Sequence, residues 1–304
     1  MHGLLDIESL ARPEIEAILD RARFFQPPPG ETYRRLDVLR GKTIVNLFFE
    51  ASTRTRVSFE IAAKRLGADT LSIVAQSSSV SKGESLVDTL NTLAAMRPHA
   101  IVMRHAASGA PQFLARHLQI PIVNAGDGTH EHPTQALLDA RTILDHRPGL
   151  EGLRVAIIGD IAHSRVARSN IHLLSKFGAE IVLCGPPSLV PRELEQLARG
   201  IRLAYNMNEA LRGADVIMML RVQLERQHEA PMAASEYFRF YGLRLEHLKL
   251  ARPDAIVMHP GPINRGRELS SEVADSQSSV ILNQVENGVA VRMAILYLLS
   301  GGES

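Results

Sequence analysis

The chain of 304 residues has no tryptophan and a single cysteine, Cys184. One thiol closes no intramolecular disulfide and cannot build a Cys-based structural zinc site. The first twenty residues read as an amphipathic helix instead of a basic, apolar export signal, so a reducing cytoplasm is the expected location. Charge of either sign is barely in excess, with Lys+Arg 34 against Asp+Glu 33 and a net charge of +1. Such a chain has no global positive field with which to hold nucleic acid. No apolar run reaches the roughly eighteen residues of a membrane-spanning helix. What remains is ordinary globular material, 45% hydrophobic and 22% charged. Its length is enough for two domains.

Residues 7–25 carry Leu10, Ile15, Ile18 and Leu19 at helical spacing, with Pro13 where a first turn tolerates it. Residues 42–49 form a continuous apolar run of strand length, the pattern of a strand covered on both faces. A polar septet follows, and helical periodicity resumes over residues 57–66. Further strands are expected at 70–74, 100–103 and 120–123, then in a second set at 153–160, 180–183, 216–220 and 255–258. The expected fold is therefore α/β, two doubly wound parallel-sheet domains joined by helices. The first domain is read as 1–133 and the second as 134–284, with a last helix in 285–304 packing back on the first. No short repeat or low-complexity tract interrupts the pattern.

The chemistry gathers at strand ends. Ser52-Thr53-Arg54-Thr55-Arg56 joins a buried strand to a helix, where unpaired backbone N–H groups, hydroxyls and guanidinium forks together suit a tetrahedral oxyanion. The nucleotide P-loop pattern is absent. Ser77-Ser78-Ser79-Val80-Ser81-Lys82 is a polar loop with one of only five lysines; taken alone it reads as surface. Arg104 ends an apolar strand at the carboxyl edge, where open parallel sheets bind ligands. In His130-Glu131-His132-Pro133-Thr134-Gln135, two readings stand: a metal-ligating His pair, or a His and a Gln donating to a carbonyl. Gly159 supplies only the first glycine of a dinucleotide fingerprint, so NAD is not expected. Arg165, with Arg168 near it, opens the following helix, and Arg221 with Gln223 ends a later strand. Two arginines at strand ends of one domain suit a substrate with two carboxylates. His259-Pro260-Gly261-Pro262 ends the last strand with a rigid turn.

Taken in order along nearly the whole chain, Phe49-Glu50-Ala51-Ser52-Thr53-Arg54-Thr55-Arg56, Val80-Ser81-Lys82-Gly83-Glu84, Val102-Met103-Arg104-His105, His132-Pro133-Thr134-Gln135, Arg221-Val222-Gln223 and His259-Pro260-Gly261-Pro262 resemble the transcarbamoylase family. The resemblance implies transfer of a carbamoyl group from carbamoyl phosphate to the amino group of L-aspartate in pyrimidine biosynthesis, through a tetrahedral oxyanion. It implies no cofactor and no metal. By resemblance, Ser52, Thr53, Arg54 and Thr55 hold the phosphate, and Arg104, His132 and Thr55 meet the carbonyl oxygen. Gln135 and the backbone near Gly261 and Pro262 hold the carbamoyl amide. Arg165, Arg221 and Gln223 match the positions that take the aspartate carboxylates. Ser78 and Lys82 match residues given by a neighbouring subunit, which implies a homotrimer.

The ornithine branch of the family shows D-x-x-x-S-M-G and H-C-L-P, and neither occurs here. In place of H-P-L-P-R the last motif runs on into Ile263-Asn264-Arg265-Gly266. It thus looks more like members that work as bare trimers, or that associate with a dihydroorotase-like protein, than like those that assemble with a regulatory chain. A non-catalytic partner in such a complex is the alternative of another class; the chemically competent residues at every motif position speak against it.

Overall fold

The computed structural model describes residues 3–28, 30–74, 86–222 and 233–301. They form two compact units, Met1–Arg141 with Glu286–Ser304, and Thr142–Val285. The divisions fall inside two helices, whereas the sequence reading set boundaries at 133/134 and 284/285.

The first unit holds β1 (Gly3–Leu4), α1 (Arg12–Phe25), β2 (Thr43–Phe48), α2 (Thr53–Arg65), β3 (Asp69–Val74), α3 (Leu86–Ala95), β4 (Ala100–His105), α4 (Ala110–Ala115) and β5 (Ile122–Asp127). Helix α5 (Pro133–His146) contains the first division. The strands run parallel in the order β1-β5-β4-β2-β3. Strands β2 and β5 are buried nearly throughout, as continuous apolar runs require, while the edge strand β3 is exposed.

Helix α1 starts at Arg12, later than its apolar periodicity suggested. Residue Ala11 is extended, and the Glu14 carboxylate accepts its N–H at 2.8 Å, so the helix is capped there with Pro13 in its first turn. Ile7 and Leu10 are buried without being helical.

The second unit holds β6 (Arg154–Ile158), α6 (Arg165–Lys176), β7 (Glu180–Cys184), β8 (Ile201–Ala204), α7 (Met207–Leu211), β9 (Val216–Met219), α8 (Ala234–Tyr241), α9 (Leu245–Leu248), β10 (Ile256–Met258) and α10 (Ser271–Ala274). Its sheet is also parallel, in the order β10-β9-β6-β7-β8. Helix α11 (Ile281–Leu299) contains the second division and begins one turn earlier than expected. At Gly159 the backbone φ is +140°, and an added Cβ would lie 2.9 Å from Leu220 Cβ. Glycine is thus required where the chain leaving β6 passes β9.

Candidate active site

In the first unit, β5, β4 and β2 are neighbours in the sheet, and their carboxyl ends with the segments that follow carry Ser52 to Thr55, Arg104, His132 and Gln135. The loop after β2 is pinned by the Phe49 N–H, which donates to the Arg104 carbonyl at 2.9 Å. Ser52 is the N-cap of α2, but its side chain takes none of the first-turn N–H groups. The first turn holds Arg54 and Arg56 and no acidic residue, so cations sit at the positive end of the helix dipole. Thr53 and Arg54 are exposed and Thr55 is buried. Arg104 is held on two sides: Glu50 pairs with it at 3.1 Å, and its Nη1 donates to the Ala125 carbonyl at 3.2 Å. Glu50 stands inside the recognised motif, yet no role was read for it. Its function here is to aim the Arg104 fork.

The turn between β5 and α5 is built around the fully buried Asp127. Its carboxylate accepts from the Gly109 N–H at 2.6 Å, from Asn124 Nδ2 at 2.8 Å and from the Glu131 N–H at 3.2 Å. His130 Nδ1 lies 3.1 Å away. Glu131, also buried, accepts the N–H groups of Ile7 and Glu8. His130 and His132 therefore lie in a turn and at a helix entry, not side by side on a strand. Among the described residues no three metal-ligating side chains converge. His132 is buried, and its carbonyl accepts from the Gln135 N–H at 2.9 Å as α5 begins.

Burial raises the Asp127 carboxyl pKa, but hydrogen bonds from His130, Asn124 and Gly109 outweigh it and hold the group below its usual 3.8. The hydrogen bond to Asp127, with the nearby charges of Glu131 and Asp6, lifts His130 above its usual 6.5. A raised histidine stabilises fully below its unfolded value and is lost as pH rises through its folded one; a lowered carboxyl stabilises above its unfolded value and is lost as pH falls. The pair is thus most stabilising between about pH 4 and pH 6.5. The His130→Gln variant should melt about 1–2 °C below the parent in that window and converge on it at alkaline pH. Thermal melts that differ equally at pH 5.5 and pH 9 would contradict the pairing.

In the second unit, β10, β9 and β6 are likewise neighbours, and the loops at their carboxyl ends carry Gly261 and Pro262, Arg221, and Arg165. Ser164 caps α6 by accepting the Ala167 N–H at 3.1 Å, which fixes Arg165 at the first helical position, buried; Arg168 is half-buried. The fully buried Asp160 accepts the His163 N–H at 3.2 Å. Arg221 is half-buried just beyond β9. The Gly261 N–H donates to His259 Nδ1 at 2.8 Å, and Gly261 adopts φ +66°, open to glycine alone without strain.

A residue that the sequence reading passed over ties these loops together. Glu268 is fully buried and accepts from the Val222 N–H at 3.2 Å, the Asn264 N–H at 2.8 Å and Asn264 Nδ2 at 2.8 Å. Ser78, Lys82 and Gln223 lie outside the described residues.

Two family models meet the chain almost end to end. The aspartate/ornithine carbamoyltransferase carbamoyl-P binding domain matches residues 2–145, and the Asp/Orn binding domain of the same family matches residues 151–299. The chain belongs to the aspartate/ornithine carbamoyltransferase family. Among carbamoyltransferases it is 76% identical to the aspartate carbamoyltransferase catalytic subunit of Solibacter usitatus, over 98% of this chain and 99% of the relative. It is 56% identical to the subunit of the same name from Geobacter sulfurreducens, over 99% of this chain and 96% of that one.

Among solved structures, the aspartate transcarbamoylase of Trypanosoma cruzi in complex with carbamoyl aspartate and phosphate matches with a TM-score of 0.86 and 33% identity, covering 97% of this chain and 95% of the other. The ornithine carbamoyltransferase of Pyrococcus furiosus matches with a TM-score of 0.89 and 31% identity, over 100% and 98%. Likeness to these two structures therefore does not separate the substrate branches of the family; the 76% and 56% identities to aspartate carbamoyltransferase catalytic subunits point to one of them.

Proposed function

We propose that this carbamoyltransferase moves the carbamoyl group of carbamoyl phosphate onto the amino group of L-aspartate, giving N-carbamoyl-L-aspartate and phosphate, an early step of pyrimidine biosynthesis. The observation that carries the reading is the 76% identity over nearly the full length to a protein named aspartate carbamoyltransferase catalytic subunit. The first unit takes carbamoyl phosphate. Ser52, Thr53, Arg54 and Thr55 hold its phosphate at the N-terminus of α2, and Thr55, Arg104 and His132 meet the carbonyl oxygen, where negative charge develops. Gln135, with backbone near Gly261 and Pro262, takes the carbamoyl amide.

The second unit takes L-aspartate through Arg165, Arg221 and Gln223, with Lys82. The neutral amine adds to the carbonyl carbon, the oxyanion forms against donors already in place, and the C–O bond to phosphate breaks as the proton lost by the amine passes to the departing phosphate. No covalent enzyme intermediate is needed. Each preorganised donor aimed at the oxyanion contributes on the order of 3 kcal/mol. The lone thiol plays no part: burial pushes Cys184 up to about 12, so it stays protonated.

The working form is a homotrimer in which Ser78 and Lys82 enter a neighbouring copy's site. Support comes from the edge strand β3, which leads in sequence to those residues and leaves Leu71 56% exposed beside an uncovered hydrogen-bonding edge. Val57 and Ile61 of α2 are exposed as well. A cytoplasmic location follows from the pyrimidine role and the single unpaired cysteine; no helix among the described residues is long and apolar enough to cross a membrane. The Ile263-Asn264-Arg265-Gly266 sequence after the last motif favours a bare trimer, or one joined to a dihydroorotase-like chain, over a regulatory-chain assembly.

The test incubates the purified chain with carbamoyl phosphate and either L-aspartate or L-ornithine and quantifies each product beside the protein's solution mass. Carbamoyl-aspartate from a particle of three chains is expected. Carbamoyl-ornithine would overturn the assignment of Arg221 and Gln223, and an active monomer would overturn the shared site.

A further inference from the structure

Gln135 Nε2 donates to Asp139 Oδ1 at 2.9 Å, one turn on along α5, with Asp139 fully buried. A carboxylate only accepts, so the Gln135 atom facing it must be the amide nitrogen. Left to itself a glutamine amide turns either end to a ligand. Here the oxygen is the end that remains.

The first unit also buries an arginine in a site shaped for it. Arg292 of α11 is 4% exposed, and the Asp139 charge acts on its guanidinium. Its Nη1 donates to the Gly288 carbonyl at 3.0 Å, Nη2 reaches Thr134 Oγ1 at 3.5 Å, and the guanidinium lies 5.1 Å from the centroid of the buried Phe59 ring on α2. An added Cβ at Gly288 would fall 3.2 Å from Leu138 Cδ2 and closer still to that guanidinium, so the glycine clears room for it. Burial lowers the Arg292 pKa to about 10, which leaves it charged at neutral pH. The cation is thus buried inside the first unit, where the Asp139 charge acts on it.

We propose that Asp139 is a positioning residue for donor specificity: it locks the Gln135 amide with its oxygen toward the ligand, so that the site selects an acyl phosphate bearing NH2 over one bearing CH3. This rests on the carbamoyl phosphate reading of the first unit. A carbamoyl nitrogen donates to that oxygen, whereas the methyl of acetyl phosphate has nothing to give it. With the lock removed, the amide turns and sets one NH2 against another.

The experiment compares carbamoyl phosphate as substrate with acetyl phosphate as competitive inhibitor. In the parent enzyme carbamoyl phosphate should bind about tenfold or more tightly than acetyl phosphate, the worth of one well-formed polar contact; comparable affinities would overturn the proposal without any variant. In Asp139→Leu, which leaves no acceptor for the Gln135 amide, the KM for carbamoyl phosphate should rise about tenfold while the acetyl phosphate inhibition constant moves less than twofold. Should that variant not fold, Asp139→Leu combined with Arg292→Met removes both buried charges together and should show the same divergence. Equal losses for both ligands would mark Asp139 as merely structural and sink the inference. A parent enzyme that forms no carbamoyl-aspartate would instead sink the underlying functional reading.

Discussion

Replacing Arg54 by alanine should lower turnover by about 100- to 1,000-fold or more while the protein keeps its fold and melting temperature. The two halves of that expectation have separate causes. Arg54 is an exposed residue in the first turn of α2, which carries two arginines and no carboxylate. Cations there oppose the helix dipole, so alanine is neutral or stabilises the free protein by up to about 1 kcal/mol. In the reaction, negative charge grows on the departing phosphate, and a guanidinium fork fixed at a helix N-terminus meets it bidentately. Loss of one such preorganised donor costs about 3–4 kcal/mol in the transition state. Arg54→Lys keeps the charge without the fork and should fall between the two. Steady-state rates beside thermal melts decide the matter: near-normal turnover in Arg54→Ala would refute the phosphate assignment.

The parts of the fold that showed in the sequence are those with one dominant local signal. Strand β2 is apolar on both faces because α/β crossovers cover both, and its limits came within a residue at each end. Helix α5 carries such signals too, a proline at its start and apolar residues at helical spacing through to His146. Strand β1 was missed because two residues, Gly3 and Leu4, carry no periodicity; the pairing with Ile122 and Val123 makes it a strand. Strand β8 was missed because Ile201-Arg202-Leu203-Ala204 at a sheet edge is too short and mixed to stand out.

The site divided along the same line. The residues proposed to touch ligand stand in compact motifs at strand ends and were named from the family resemblance those motifs carry. Those that aim them could not be. Glu50 beside Arg104, Asp139 beside Gln135 and Glu268 beside Val222 are ordinary carboxylates in sequence, and only burial and hydrogen-bond partners set them apart. One signal was available for Asp139, its i+4 spacing from Gln135 on α5. None existed for Glu268, which acts on a residue 46 positions away.

Glu268→Leu should destabilise the protein by about 2–4 kcal/mol and raise the KM for L-aspartate more than tenfold, with a smaller change in the KM for carbamoyl phosphate. The carboxylate is fully buried and receives three donors, the backbone N–H groups of Val222 and Asn264 and the Asn264 amide. A buried donor stripped of its acceptor costs about 1–3 kcal/mol. Leucine recovers part of that sum by sparing the cost of burying a charge. The Val222 bond lies in the interior, so no water replaces its acceptor.

The functional consequence follows from sequence adjacency. Val222 follows Arg221, and Asn264 lies two residues after Pro262, so a single carboxylate fixes the loops beyond β9 and β10 against each other. When it is lost, Arg221 keeps its charge but not its place, and a bidentate contact to a carboxylate is sensitive to displacement of about an ångström. Glu268→Gln retains one accepting oxygen for Val222 and Asn264 Nδ2 and turns a donor on the Asn264 N–H. It should lie between the parent and Glu268→Leu in both melting temperature and aspartate KM. If Glu268→Leu loses stability but binds L-aspartate as the parent does, Glu268 is packing alone and Arg221 takes its position from elsewhere.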